Sequence, residues 1–255
     1  MDTRIITEHI VPALGVLLAI CMDFSVLPDF ISMYNSGKSE SMNALPYLAM
    51  WLTCTAWIIY SIFLNDLYVF SASLPGAAVS IFYLVVACSV CDKTERLQVC
   101  IGWILSFSGL AIVAMATVAL KMSSPDMSDL WGWVANLTLV FFYASPLSTA
   151  LRAIADRDSS SFHPRLAITE TAYGAVWTAY GAAVADPHIW APNVFGAAFG
   201  AAQLLLLLLL PRRQVGGQKQ EGDEPAATDV EADSDGAQEA DPLLPGPADG
   251  PGGRT

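Results

Sequence analysis

WTAYGAAVADPHIWAPNVFGAA, Trp177 to Ala198, and WIIYSIFLNDLYVFSASLPGAA, Trp57 to Ala78, share one skeleton. Tryptophan, a tyrosine three residues on, an aspartate, then Gly-Ala-Ala fall at the same places in both, 120 residues apart. The same shift matches Ser25 with Ser145 and Leu27 with Leu147. Apolar residues match by chance in an apolar chain. Trp57/Trp177, Tyr60/Tyr180, Asp66/Asp186 and Gly76/Gly196 are rarer, and they hold one register. The chain therefore reads as an internal duplication.

The composition says what is duplicated. Of 255 residues, 54% are hydrophobic and 14% charged, with a mean hydropathy of +0.48. A soluble domain carries about 25% charged residues, so the chain reads as an all-α membrane protein. Its net charge of −12 argues against nucleic acid as a partner. Helical spans need about 20 mostly apolar residues. Seven are expected, near 9–33, 45–64, 69–90, 99–120, 130–151, 166–184 and 189–210. The turns at Asn65-Asp66 and Asp186-Pro187-His188 leave room only for tight hairpins.

Orientation follows from the basic residues flanking the spans. With the N-terminus outside, Lys38, Lys93, Arg96, Arg152, Arg157, Arg165, Arg212, Arg213 and Lys219 fall on the inner side. Only Arg4 and Lys121 fall outside. Trp131, Trp133 and Trp190 then sit at the expected outer interface, where amphipathic rings are enriched. Residues 214–255 are rich in Gly, Pro, Ala, Asp and Glu and read as a disordered, acidic cytosolic tail. Within the tail, Glu239, Leu243 and Leu244 fit an acidic dileucine signal for a sorting adaptor. The apolar run near the N-terminus has no basic leader and reads as a span, not a cleaved signal.

Each copy of the repeat holds three spans, and span four is left over between them. Expected boundaries are 1–92 for the first three-helix repeat, 93–129 for the linker helix with its loops, and 130–213 for the second repeat. Four spans precede the second copy. That even number makes both copies enter the membrane from the same side, so the repeats are parallel. Halves of this kind around a midplane site are a transporter design.

The stretches that carry a family likeness are YASPLSTALRAIADRDSSSFHP (143–164), WTAYG (177–181) and DPHIWAPNVFGAAFGAAQLLL (186–206), with LPDF (27–30) and KSESMNALPYLAMWLTCTAWIIY (38–60) in the first half. Over about residues 10–210 the chain resembles the SWEET sugar transporters, of the PQ-loop superfamily. The resemblance implies a 3+1+3 bundle. It also implies a uniporter that moves mono- or disaccharides down their gradient in either direction, at the plasma membrane or an endosomal or vacuolar one, often as a homo-oligomer.

The resemblance makes Asn193 the sugar-binding amide of the seventh span. Its mate, usually also Asn, is here Ser73, which halves the hydrogen-bonding capacity on that side. Trp57 and Trp177 offer flat apolar faces to the C–H side of a pyranose and an N–H to its hydroxyls. In the family, prolines near the inner ends of spans one, two, five and six form a gate. Pro46 and Pro146 match, Pro164 matches within a residue, and Pro28 follows two residues after the expected place, which Val26 fills. Proline removes a helix hydrogen bond and so permits a bend.

Intramembrane carboxylates are functional candidates by default. Asp23 and Glu170 are candidates for a substrate or proton site, and they keep open a proton-coupled PQ-loop carrier of amino acids or other small solutes. A seven-helix receptor is disfavoured by the repeat and by the tight hairpins. Cys21, Cys54, Cys88, Cys91 and Cys100 lack the partners of a metal set. No nucleotide, metalloprotease or nucleophile motif suggests an enzyme or a cofactor.

Overall fold

The computed structural model describes residues 3–36, 44–160 and 162–211, with side chains described outside 141–146. The expected tail at 214–255, with Glu239, Leu243 and Leu244, lies outside the described residues, as do Lys38, Arg212, Arg213 and Lys219. Among the described residues every regular element is helical. A helical turn at Thr3–Ile5 (α1) and a π-turn at Ile6–Ile10 lead into α2, Val11–Phe24. Then come α3 (Leu27–Ser36), α4 (Leu45–Leu64), α5 (Leu67–Val90), α6 (Lys93–Ala119), α7 (Ser124–Asp156), α8 (Pro164–Ala183) and α9 (Pro187–Leu209).

Five stretches among the described residues are long and apolar enough to cross a membrane: Thr3–Ser36, α4, α5, α6 and α9. α7 and α8 stand where the fifth and sixth spans are expected. α8 is the more polar because it carries Thr169, Glu170, Thr171 and Thr178. The three threonine hydroxyls donate to the carbonyls four residues back, at 2.9, 2.7 and 2.6 Å, so none stays unpaired in an apolar setting.

The first span differs from a single rod over 9–33. It breaks at Ser25 and Val26, and α3 begins one residue before Pro28. The ring of Pro28 clashes with a continuing helix in the turn before it, so the break falls there. α7 starts at Ser124, ahead of the expected 130, because Ser123 caps it and Pro125 sits in its first turn. Trp131, expected at an interface, lies inside that helix and is 1% exposed, while Trp133 is 64% exposed.

Two hairpins are built alike. Asn65 and Ala185 turn the chain with left-handed φ of 58° and 57°. Asp66 and Asp186 follow at φ/ψ of −104°/106° and −103°/107°. Each aspartate Oδ1 caps the next helix: Asp66 accepts from the N–H of Tyr68 and Val69, Asp186 from those of His188 and Ile189. These are the orphan donors that a helix start must satisfy.

α2 packs on α5 and α8, α4 on α5 and α7, and α9 on α7 and α8. The six form a closed ring in the order α2, α5, α4, α7, α9, α8. Exchanging α2 with α7, α4 with α8 and α5 with α9 returns the same ring. α6 lies outside it, against α4 and α5, with Trp103 meeting Trp51 edge to face at 5.8 Å. Phe30, Tyr47 and Tyr83 close the α3 end of the core: Phe30 stacks on Tyr83 at 4.3 Å and meets Tyr47 edge-on at 4.8 Å. Small residues set the tightest approach. A Cβ on Gly174 would lie 2.5 Å from the backbone nitrogen of Ala197, and one on Gly200 would lie 2.6 Å from Thr171 Oγ1. The α8–α9 pair thus uses its glycines within one chain.

Candidate functional site

One cavity of about 40 Å³ is lined by Trp57, Val69, Ala72, Ser73, Tyr173, Trp177, Ile189 and Asn193. Its walls come from α4 and α5 on one side and α8 and α9 on the other. All four residues expected at the sugar site meet here, and they do so as repeat mates: Trp57 with Trp177, Ser73 with Asn193. In this shape the cavity has room for a few water molecules. A pyranose ring needs the walls to part.

The mates are held alike. Ser73 Oγ donates to the carbonyl of Val69 at 2.9 Å, and Asn193 Nδ2 to that of Ile189 at 2.7 Å. These bonds aim both side chains along their helices. They consume the one hydroxyl proton of Ser73, whereas Asn193 keeps Oδ1 and a second N–H. The polar offer to a ligand is therefore lopsided. Trp57 lies edge-on to Tyr60 at 5.6 Å and Trp177 to Tyr180 at 5.8 Å.

The indoles are less equal. Trp177 is 4% exposed and Trp57 half-buried. Trp177 rests on Gly15 of α2, where a Cβ would fall 2.9 Å from its Cε2 and 3.1 Å from its Nε1. Its N–H faces that glycine and has no hydrogen-bond partner among the described residues. In this shape the indole N–H is buried, while Trp177 as a whole contributes to the cavity lining. The residue 120 beyond Gly15 is Ala135, fully buried.

Above the cavity, at the hairpin end, stands a pair of contacts that sequence reasoning missed. The Tyr60 hydroxyl donates to Asp186 Oδ2 and the Tyr180 hydroxyl to Asp66 Oδ2, each at 2.5 Å. Each bond runs from one hairpin to the other. An inverted duplication would put these hairpins at opposite ends, so the crossed bonds show the halves side by side and parallel. Both mates were visible as identities. Their contact was not, because an identity reveals a mate and not a partner.

The other expected residues lie apart from the cavity lining. Asp23 is half-buried near the end of α2, where a Cβ on Gly76 would lie 2.8 Å from both its Oδ2 and Cys54 Sγ. Glu170 accepts a bond from Gln203 Nε2 at 3.3 Å. Neither carboxylate has a cationic partner among the described residues. Pro28 stands in the first turn of α3, Pro46 in that of α4, and Pro164 is the first residue of α8. Pro146 lies inside α7. Pro75 and Pro192, which were not singled out, lie inside α5 and α9.

A family model described as "Sugar efflux transporter for intercellular exchange" matches residues 9–95 and again 129–215. The chain is 24% identical over 212 residues to the bidirectional sugar transporter SWEET13 of Oryza sativa subsp. japonica, covering 82% of this chain and 71% of that protein. It is 27% identical over 204 residues to SWEET7 of Arabidopsis thaliana, covering 78% and 79%. It is 27% identical over 232 residues to SWEET4 of Oryza sativa subsp. indica, covering 87% and 90%. A solved structure of a eukaryotic SWEET transporter superposes with a TM-score of 0.74 at 23% identity, covering 82% of this chain and 98% of that one.

Proposed function

The chain belongs to the sugar efflux transporter family, known as MtN3 or SWEET, with the family model matching both halves, and from that premise we propose that it is a bidirectional uniporter of mono- or disaccharides. The observation that carries this reading is the cavity: four residues at repeat-related positions, two indoles and two polar groups, converge on one space beneath a pair of crossed hairpin bonds. The ring faces of Trp57 and Trp177 would cover the apolar faces of a sugar, and Asn193 with Ser73 would meet its hydroxyls. The Tyr60–Asp186 and Tyr180–Asp66 bonds would close one end, and helix bending at Pro28 and Pro146 would let the other open. Pro46 and Pro164, at helix starts, would set where α4 and α8 begin.

In this reading the halves are residues 1–92 and 130–213, with 93–129 as linker. The two-fold ring of contacts supports that division. The bias of basic residues supports an outer N-terminus and a cytosolic tail, which places the hairpin end outside. The stretch Glu239 to Leu244 would serve a sorting adaptor, and the family resemblance supports a homo-oligomer.

The test is uptake of labelled hexose or sucrose into liposomes carrying the purified protein. Trp57→Ala and Asn193→Ala should each abolish uptake while the protein stays folded. Uptake that survives both changes overturns the site. A second reading, proton-coupled transport, is favoured by Asp23 and Glu170, half-buried carboxylates without a cationic partner among the described residues. It requires uptake to climb steeply as pH falls.

A further inference from the structure

The shift of 120 brings together one more set of positions. His9 is matched by Asp129, and Tyr68 by His188. In each half the first contacts the second. His9 Nδ1 lies 3.0 Å from the Tyr68 hydroxyl, and Asp129 Oδ1 lies 2.8 Å from His188 Nε2. One brace is therefore built twice from different chemistry, and only the second contains a carboxylate. That second brace joins α7 to the first turn of α9, the turn whose cap, Asp186, accepts the Tyr60 phenol.

His188 is closely seated. A Cβ on Gly132 would lie 2.5 Å from its Cγ, so only glycine lets the ring lie on α7. Trp133 and Tyr60 meet the ring edge-on at 5.2 and 5.9 Å. Pro192 has no N–H for the His188 carbonyl four residues back, and Asn136 Nδ2 reaches across from α7 to donate to that carbonyl at 3.2 Å and to Gly132 O at 2.9 Å. The same amide nitrogen stands 3.5 Å from His188 Nδ1. The titratable groups facing the ring are Asp129 of α7, Tyr60 of α4 and Asp186 at its own helix start, with Asp66 and Tyr180 of the other crossed bond one step beyond.

We propose that His188 is a positioning residue for the hairpin-end closure, and that a proton gained by its imidazole tightens the brace to Asp129 and slows opening of that end. The neutral ring donates Nε2–H to Asp129. A second proton turns this bond, already assisted by the carboxylate's charge, into an ion pair. The new Nδ1–H then faces the Asn136 amide, donor to donor. That loss falls on the longest contact of the network, and the amide keeps its two carbonyls. Histidine is the side chain that changes charge in the range of about pH 5 to 8. The His9–Tyr68 brace has no carboxylate and gains no such bond.

The proposal rests on the transport reading, and the experiment separates the two. Initial uptake of labelled glucose and of labelled sucrose is measured for the full chain in liposomes at pH 7.5 and 5.5. Uptake should fall about threefold at the lower pH, the size a partly exposed ion pair supports. His188→Phe and Asp129→Asn should each flatten the profile. Gly132→Ala, which displaces the ring and alters no titratable group, should flatten it too, whereas His9→Gln should keep it. A flat profile in the unaltered protein, or the full slope retained in His188→Phe, overturns the proposal. If neither sugar moves at any pH, the transport reading fails and the brace is judged by the unfolding temperature instead. The lead of the unaltered protein over His188→Phe and over Asp129→Asn should grow at pH 5.5. An unchanged lead overturns the brace.

Discussion

The crossed bonds at the hairpin end make a prediction that depends on who contacts whom. Asp186 is 8% exposed, and Tyr60 reaches its Oδ2 at 2.5 Å. Its Oδ1 is already committed to two backbone N–H groups, so Tyr60→Phe leaves one buried carboxylate oxygen without its donor. A hydrogen bond to a charged group contributes about 1.5–3 kcal/mol, and a buried acceptor left alone adds its desolvation penalty. The single change should therefore destabilise the protein by about 2 kcal/mol. The sharper measure is a double-mutant cycle, read as thermal or denaturant unfolding in detergent. Tyr60→Phe with Asp186→Asn should show a coupling of about 1.5 kcal/mol. So should Tyr180→Phe with Asp66→Asn. The within-hairpin pairs, Tyr60 with Asp66 and Tyr180 with Asp186, should couple by less than about 0.5 kcal/mol. Equal coupling in all four pairs, or stronger coupling within a hairpin than across, would refute the crossed arrangement.

Two further substitutions test close approaches. Gly15→Ala places a methyl 2.9 Å from Trp177 Cε2, so the indole must shift into the cavity. Uptake should drop at least tenfold with little loss of folded protein, whereas Ala135→Gly, at the matching site, should retain most uptake. Gly76→Ala sets a methyl 2.8 Å from both Asp23 Oδ2 and Cys54 Sγ. It should lower unfolding stability by about 1–3 kcal/mol, the usual size of overpacking, and Cys54→Ala in the same chain should recover part of that.

The duplication was legible because Trp, Tyr, Asp and Gly are too rare in an apolar chain to align by accident. The register points to Trp57 and Trp177, the family resemblance to Asn193 with Ser73 as its mate, and the four meet in one cavity. Four other features were less legible, each for a physical reason. A proline at the boundary of an apolar run serves equally as a bend or as a helix start, and only the backbone before it decides. Pro46 and Pro164 stand at starts, close to the span beginnings expected at 45 and 166. A carboxylate in a span suggests a cationic partner, but Glu170 is met by the amide of Gln203, 33 residues away on the facing helix. The burial of a membrane tryptophan depends on the face of its helix, and two residues apart on α7 Trp131 is buried and Trp133 exposed. The crossed tyrosines needed the two-fold axis itself, which places Tyr60 beside Asp186 and not beside the aspartate of its own hairpin.

The two hairpins share one shape but not one fitness for it. Asn65 suits a left-handed turn, since its short amide tolerates that region, whereas the methyl of Ala185 is strained there by about 1–2 kcal/mol. The second turn is thus a borrowed geometry kept by its surroundings. It is the weaker seam, where heat or detergent would pry first. Writing the first half's asparagine into the second would let the molecule mend itself with its own pattern, and would give a hardier sample for crystallisation.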